Sequence, residues 1–166
     1  VRTLRGLVLN ESSGNCCILG YKSIEPYVAE LACVLARRTF IPLSPLNPPE
    51  RNLRVIKNAN CRIAIVSKTL YLEYEHHFSN TDLAIVFVID IGEEFSWTRV
   101  QLKNTVDQIT EIESLDVYIL YTSGSTGEPK GVRVNETTLQ AYVDNVLSII
   151  PVYPGDRPSQ FFDLTF

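Results

Sequence analysis

Residues 121–132 read Tyr121-Thr122-Ser123-Gly124-Ser125-Thr126-Gly127-Glu128-Pro129-Lys130-Gly131-Val132, a run dense in hydrogen-bond donors that ends in a lysine set between proline and glycine. That composition suits a phosphate. Gly124 and Gly127 let backbone N–H groups come close to an anion. The hydroxyls of Thr122, Ser123, Ser125 and Thr126 add further donors, and Lys130 adds a mobile positive charge. A single charge-assisted hydrogen bond contributes about 1.5–3 kcal/mol, so several must act together to hold a triphosphate against its own hydration.

Two other loops of similar composition are excluded by spacing. A Walker A loop places Gly-Lys-Ser/Thr four residues after its first glycine, whereas Lys130 lies between Pro129 and Gly131. A nucleophile elbow needs Gly-x-Ser-x-Gly, and Gly124 and Gly127 are separated by Ser125-Thr126 alone.

Such a loop needs rigid elements on either side. Residues 117–121 form a short apolar run that leads into it as a strand, and 136–150 follow it as a helix with Leu139, Tyr142, Val143, Val146 and Ile150 at helical spacing. Upstream, short apolar runs alternate with helical patterns. Residues 16–20 read as a strand, and 23–37 as a helix with Ile24, Tyr27, Val28, Leu31, Val34 and Leu35 as its apolar face and Ser23 as N-cap. Residues 39–43 form a strand that ends in the proline-rich segment of Pro42, Pro45, Pro48 and Pro49, and Pro49 starts the next helix. Further strands cover 62–67 and 83–90, with a helix around 70–78 between them; 92–113 is polar and poorly periodic, and reads as loop with at most one helix. The expected fold class is α/β, built from strand and helix units around a parallel sheet.

The chain has 166 residues, 45% of them hydrophobic, and a formal net charge of -4. This is enough apolar material for one domain core, and the charge offers no attraction to nucleic acid or an anionic membrane. No apolar run approaches the roughly 20 residues of a membrane span. Cys16, Cys17, Cys33 and Cys61 lack the spacing of a zinc site, and the adjacent Cys16 and Cys17 point to opposite faces of a strand, which fits buried thiols in a reducing cytoplasm. No metal site is expected, and His76-His77 beside Glu73 and Glu75 reads as a solvated helix face. Trp97 reads as a packing anchor, and Asp156-Arg157 as part of a turn after Pro154-Gly155. The start at Val1 and the lack of methionine, against about three in average usage, fit an internal fragment.

Residues 122–131 resemble the phosphate-loop motif Thr/Ser-Ser-Gly-Ser/Thr-Thr-Gly-x-Pro-Lys-Gly of the adenylate-forming superfamily, which holds acyl-CoA synthetases, luciferases and the adenylation domains of nonribosomal peptide synthetases. They fit it throughout, with Glu128 at the variable position. Residues 35–45 resemble the adenylation-domain segment Leu-Lys-Ala-Gly-x-x-Tyr-Val-Pro-Ile-Asp-Pro in part. Arg37 and Arg38 stand where Ala and Gly are usual, and Ser44 where Asp is. Residues 160–166 resemble the approach to the Phe-Asp-x-Ser motif, whose Asp meets the α-ammonium group of an amino acid. Two registers fit: one makes Phe166 the motif's Phe and puts the Asp at the following position, and the other makes Asp163 that carboxylate.

The resemblance implies that residues 1–166 are a single incomplete domain, the amino-terminal portion of the large subdomain of an adenylate-forming enzyme. It implies ATP and Mg2+ as cofactors, with Thr122, Ser123, Gly124, Ser125, Thr126, Gly127 and Lys130 holding phosphates, and a carboxylic acid, above all an amino acid, as substrate. The acyl-AMP would pass its acyl group to a phosphopantetheine carrier protein or to CoA. The main catalytic lysine is expected outside the chain, in the remaining part of the adenylation domain, so this fragment alone is expected to be inactive. An acyl- or aryl-CoA synthetase and a non-catalytic nucleotide-binding remnant are the alternatives.

Overall fold

Near-continuous apolar runs have to be buried on both faces, and that requirement sets the centre of the structure. In the computed structural model, which describes residues 15–92, 94–103, 116–123, 128–157, 159 and 165, Cys16, Cys17, Ile18 and Leu19 are all almost completely buried. They form β1 (Asn15–Leu19), followed by α1 (Ile24–Leu35), β2 (Phe40–Leu43), α2 (Pro49–Asn58), β3 (Cys61–Ser67), α3 (Lys68–Phe78), β4 (Ile85–Ile91), β5 (Phe95–Gln101), β6 (Asp116–Ser123), β7 (Pro129–Asn135) and α4 (Glu136–Ile149). The described strands make one sheet in the order β5-β4-β3-β1-β2-β6-β7. The inner strands β4, β3, β1, β2 and β6 pair in parallel, and β5 and β7 are antiparallel at the two edges. The α/β class and the parallel core match the expectation.

Each face of the sheet has its own core. On one, Cys17, Leu19, Ala64 and Val86 pack with Val55 and Ile56 of α2 and with Leu70, Tyr74 and Phe78 of α3. On the other, Cys16, Ile18, Ile63 and Phe87 pack with Ala29, Ala32, Cys33 and Ala36 at α1. Adjacent Cys16 and Cys17 therefore serve opposite cores, as alternation along a strand requires. All four thiols are free and buried. Hydrogen bonding to Cys33, then burial, pushes the Cys16 thiol up, and hydrogen bonding to Cys17, then burial, does the same for Cys61.

Four details depart from the sequence expectations. The larger apolar residues of α1 do not face the sheet: Ile24, Leu31, Val34 and Leu35 are exposed, while the small Ala29, Ala32 and Cys33 make the close contact. Small side chains let the helix axis lie near the strands, which leaves the larger ones outside. Ser23 has the extended backbone of an N-cap, but its Oγ donates to Tyr21 O at 3.3 Å and leaves the helix N–H groups uncapped. Within 92–113, taken as loop, residues 95–101 form the edge strand β5 opposite β4. Trp97 there meets Phe87 edge-on at 6.4 Å between ring centroids, a packing contact that leaves it partly exposed. Residues 129–135, taken as the end of a turn, form β7 before the helix begins. Asn135 caps that helix, its Oδ1 accepting from Thr138 N at 2.8 Å.

The end of α1 and the path of β2 follow from local chemistry. The N–H of Arg37 donates to Val34 O at 3.0 Å and that of Arg38 to Cys33 O at 2.9 Å, which is a Schellman turn with Arg37 at φ 52, where glycine is usual. In β2, Cys16 N donates to Thr39 O at 3.0 Å, so Thr39 and its alternates face β1 while Phe40 and Pro42 face β6. Pro42 has no N–H to give on that side. The β2–β6 ladder accordingly has a single register pair, Phe40 with Tyr118, supported by their ring contact at 5.6 Å and by Thr39 Oγ1 donating to Asp116 O at 2.7 Å.

Candidate functional site

The donor-rich run joins β6 to β7, and both strands are in register up to its edges: Thr122 pairs with Lys130 and Ser123 with Pro129. Directly opposed residues point to the same face, with Cβ atoms about 4.5–5.5 Å apart. The Thr122 hydroxyl and the Lys130 ammonium thus leave the sheet side by side. Both are exposed, and Lys130 makes no ion pair with a described residue. The Ser123 side chain and Gly124, Ser125, Thr126 and Gly127 lie outside the described residues, as does Asp163.

The fold puts this hairpin where open α/β sheets bind ligands. The parallel strands end at Leu19, Leu43, Ser67, Ile91 and Ser123 along one edge, and the loop leaves from that carboxyl edge. Beside it, the chain leaving β2 is held by Asn52, whose Nδ2 donates to Ser44 O at 2.9 Å and lies 3.2 Å from Tyr74 Oη. Ser44 is buried, and its Oγ accepts from Leu46 N at 3.4 Å.

Two contacts that the composition did not point to hold the hairpin in shape, Tyr121 against Gly131 and Arg133 with Asp116. Tyr121 is the register partner of Gly131, and a Cβ added at Gly131 would stand 2.8 Å from Ile119 Cγ2 and 3.0 Å from Tyr121 Cζ. Gly131 therefore makes room for the Tyr121 ring. Burial, with the Cys61 thiol nearby, pushes the Tyr121 phenol up, against a smaller opposing effect of Arg133. Arg133 Nη1 also binds Asp116 Oδ2 at 2.9 Å, an exposed to partly buried pair linking β7 back to the start of β6. The sequence signal for Gly131 was the final glycine of the run, legible as punctuation but not as a steric need.

The other candidates stay apart from this site. His76 and His77 lie on α3 with ring centroids 4.0 Å apart, and Glu75 there accepts from Tyr71 Oη at 3.1 Å. Among the described residues no group of three or more His, Cys, Asp or Glu side chains converges as a metal site would, and no helix is long and apolar enough to cross a membrane. Pro154 and Gly155 form a turn closed by Asp156, which accepts from Tyr153 N at 2.7 Å.

Comparison with known proteins extends these observations over nearly the whole chain. The family described as AMP-binding enzyme matches residues 7–164. Nonribosomal peptide synthetase 7 of Aspergillus fumigatus is 31% identical over 126 residues, which are 76% of this chain and 5% of that protein. Surfactin synthase subunit 2 of Bacillus subtilis is 30% identical over 149 residues, 90% of this chain and 4% of that protein. Among solved structures, IdnL7 superposes with a TM-score of 0.75 at 21% identity, over 98% of this chain and 33% of its own. The chain thus spans a small fraction of the curated relatives it matches and a third of that solved fold.

Proposed function

Since the chain belongs to the AMP-binding enzyme family, we propose that it supplies the phosphate-gripping part of an enzyme that activates a carboxylic acid, specifically an amino acid, by adenylation. The observation that carries this reading is the register-locked pair of Thr122 and Lys130 at the base of the donor-rich loop, on the carboxyl edge of the sheet. The amino-acid branch is supported by the likeness to two peptide synthetases. In this reading the chain is the amino-terminal portion of a larger body, and the remaining portion brings the catalytic lysine.

The chemistry follows from the donor set. A carboxylate oxygen of the substrate attacks the α-phosphorus of ATP in line; the new C–O–P linkage forms as the α–β anhydride bond breaks, giving acyl-AMP and pyrophosphate. Catalysis of such a step is positioning and charge stabilisation. Hydroxyl, ammonium and backbone N–H donors suit phosphate oxygens, so Thr122 and Lys130 would steady the β- and γ-phosphates as they become the leaving group. Mg2+ enters as the counter-ion of the nucleotide. The thiol sulfur of a carrier-protein phosphopantetheine, or of CoA, would then attack the acyl carbonyl, the thioester forming as the acyl C–O bond to the phosphate breaks, AMP leaves and the thiol gives up its proton.

The deciding experiment measures exchange of labelled pyrophosphate into ATP, acid by acid, with the polypeptide that contains this chain. Exchange driven by one amino acid and lost in Lys130→Ala supports the reading and identifies the substrate. Exchange with fatty or aromatic acids alone transfers the chain to the acyl-CoA synthetases. A folded protein that binds ATP but exchanges with no carboxylate is a non-catalytic nucleotide binder.

A further inference from the structure

The chain changes direction along the sheet between β1 and β3. From β1 it crosses by α1 to β2 on one side, and from β3 it crosses by α3 to β4 on the other, with α1 packed on one face of the sheet and α3 on the opposite face. The adjacent β1 and β3 therefore part their following segments and open a crevice at their carboxyl ends, the kind of place where open α/β sheets take ligands. Strand β2 stands between this crevice and β6 with its loop. On the β3 side of the crevice lies a cavity of about 190 Å³, walled by Glu25 from the first turn of α1, by Ser67 at the end of β3, by Lys68 and Thr69 at the start of α3, and by Asp90 of β4.

The polar groups of that wall are unevenly matched. Lys68 Nζ pairs with Asp90 Oδ2 at 3.4 Å, and both of those side chains are exposed. Glu25 Oε2 is buried and accepts no hydrogen bond from a described residue. Ser67 stands at the N-cap of α3, but its hydroxyl makes no capping bond. Two carboxylates thus face one ammonium, and the acceptor left over belongs to Glu25. A buried carboxylate oxygen without a donor carries a desolvation penalty that only a bonded partner offsets. Among the described residues no three metal-ligating side chains converge, so the complement of this wall is an organic cation with N–H donors. Ile89 is buried and Leu72 exposed, and both line the cavity with apolar surface for a short hydrocarbon stem.

We propose that this cavity binds a small primary aliphatic amine, its ammonium donating to Glu25 Oε2 and to the hydroxyl oxygens of Ser67 and Thr69 while its stem lies along Leu72 and Ile89. An ammonium has three N–H donors and no acceptor, which suits three oxygen acceptors and one unmatched negative charge. The site differs from the phosphate loop in place and in sign: Lys130 and the donor-rich run suit an anion, and this wall suits a cation. It stands whether or not the nucleotide reading does.

The test uses the polypeptide that contains this chain, titrated calorimetrically at constant ionic strength with butylammonium chloride and, separately, with 1-butanol, which has the same stem and no charge. Neither titrant has a carboxylate, so adenylation cannot consume it. The expected result is saturable binding of butylammonium about tenfold or more tighter than butanol, with the difference lost in Glu25→Gln and retained in Lys130→Ala, each variant keeping the parent's circular dichroism. Should Glu25→Gln fail to fold, Thr69→Val decides: it removes one acceptor at an exposed position and should weaken butylammonium about threefold while leaving butanol unchanged. Equal affinity for the two titrants, binding of neither, or a preference that survives both variants overturns the proposal and leaves Glu25 as an acid that offsets the dipole of α1. Displacement of butylammonium by inorganic pyrophosphate overturns it as well, because the amine then occupies the other site.

Discussion

Gly131 lies opposite Tyr121 across β6 and β7, and the absence of a side chain there is what allows the tyrosine ring to cover the strand. Gly131→Ala forces a methyl to 2.8 Å from Ile119 Cγ2, a buried atom with little freedom to move. Overpacking of this kind costs about 1–3 kcal/mol. Thermal unfolding followed by circular dichroism should show a drop in Tm of several degrees; an unchanged Tm means the strands shift to accept the methyl.

Lys130 is exposed and its ammonium makes no ion pair with a described residue, so its removal should leave stability almost unaltered while weakening anion binding. Calorimetric titration with inorganic pyrophosphate should show Lys130→Ala binding about tenfold or more weakly, from the loss of a charge-assisted contact of about 1.5–3 kcal/mol. Lys130→Arg should retain much of the affinity. Equal binding by parent and Lys130→Ala removes Lys130 from the site.

Glu30 holds its proton more tightly in the folded chain, at about 7, than at the ordinary 4.5. The folded state therefore binds more protons than the unfolded one across that interval, and stability falls as pH rises from about 4.5 to 7. The effect is fully expressed above pH 7. Glu30 lines a cavity of about 300 Å³ with Leu31, Val34 and Leu139, whose other titratable side chains are Tyr27 and Tyr118. Glu30→Gln should flatten this part of the Tm-against-pH curve and be the more stable protein above pH 7; parallel curves for parent and variant refute the assignment.

Arg37 occupies the left-handed position of the turn that ends α1, at φ 52. A non-glycine residue is disfavoured there by roughly 1–2 kcal/mol, partly offset by the greater freedom of glycine in the unfolded chain. Arg37→Gly is expected to raise stability by about 0.5–1 kcal/mol in urea unfolding. A loss instead indicates that the arginine side chain contributes more than its backbone costs.

The contrast between what was legible and what was not has physical causes. Runs such as Ile63 to Val66 and Ile85 to Ile89 are buried on both faces and stand out as unbroken apolar stretches. The edge strand β5 is exposed at nearly every position, and Ser96, Thr98, Arg99 and Gln101 give it the composition of a loop. Pro129 and Gly131 concealed β7 in the same way, since proline at the first position of an edge strand and a glycine under an aromatic ring both imitate turn chemistry. For α1, periodicity located the apolar stripe but could not tell that the alanine side meets the sheet. The phosphate-loop motif was readable because its donors are contiguous; the partnering of Thr122 with Lys130 is a property of strand register.

The break in pairing at Pro42 has a mechanical result for the loop. One register pair, one ring contact and one threonine hydrogen bond attach the β6–β7 hairpin to β2, whereas β1, β3 and β4 are laced along their lengths. Among the described strands, the β2–β6 seam is therefore the least laced of the parallel ladders, and side-chain packing of Ile119 and Tyr118 carries more of its cohesion than backbone pairing does. In the proposed reading, the strand that leads into the phosphate loop is joined to the parallel core across that seam, and a residue with no N–H sets where its pairing stops.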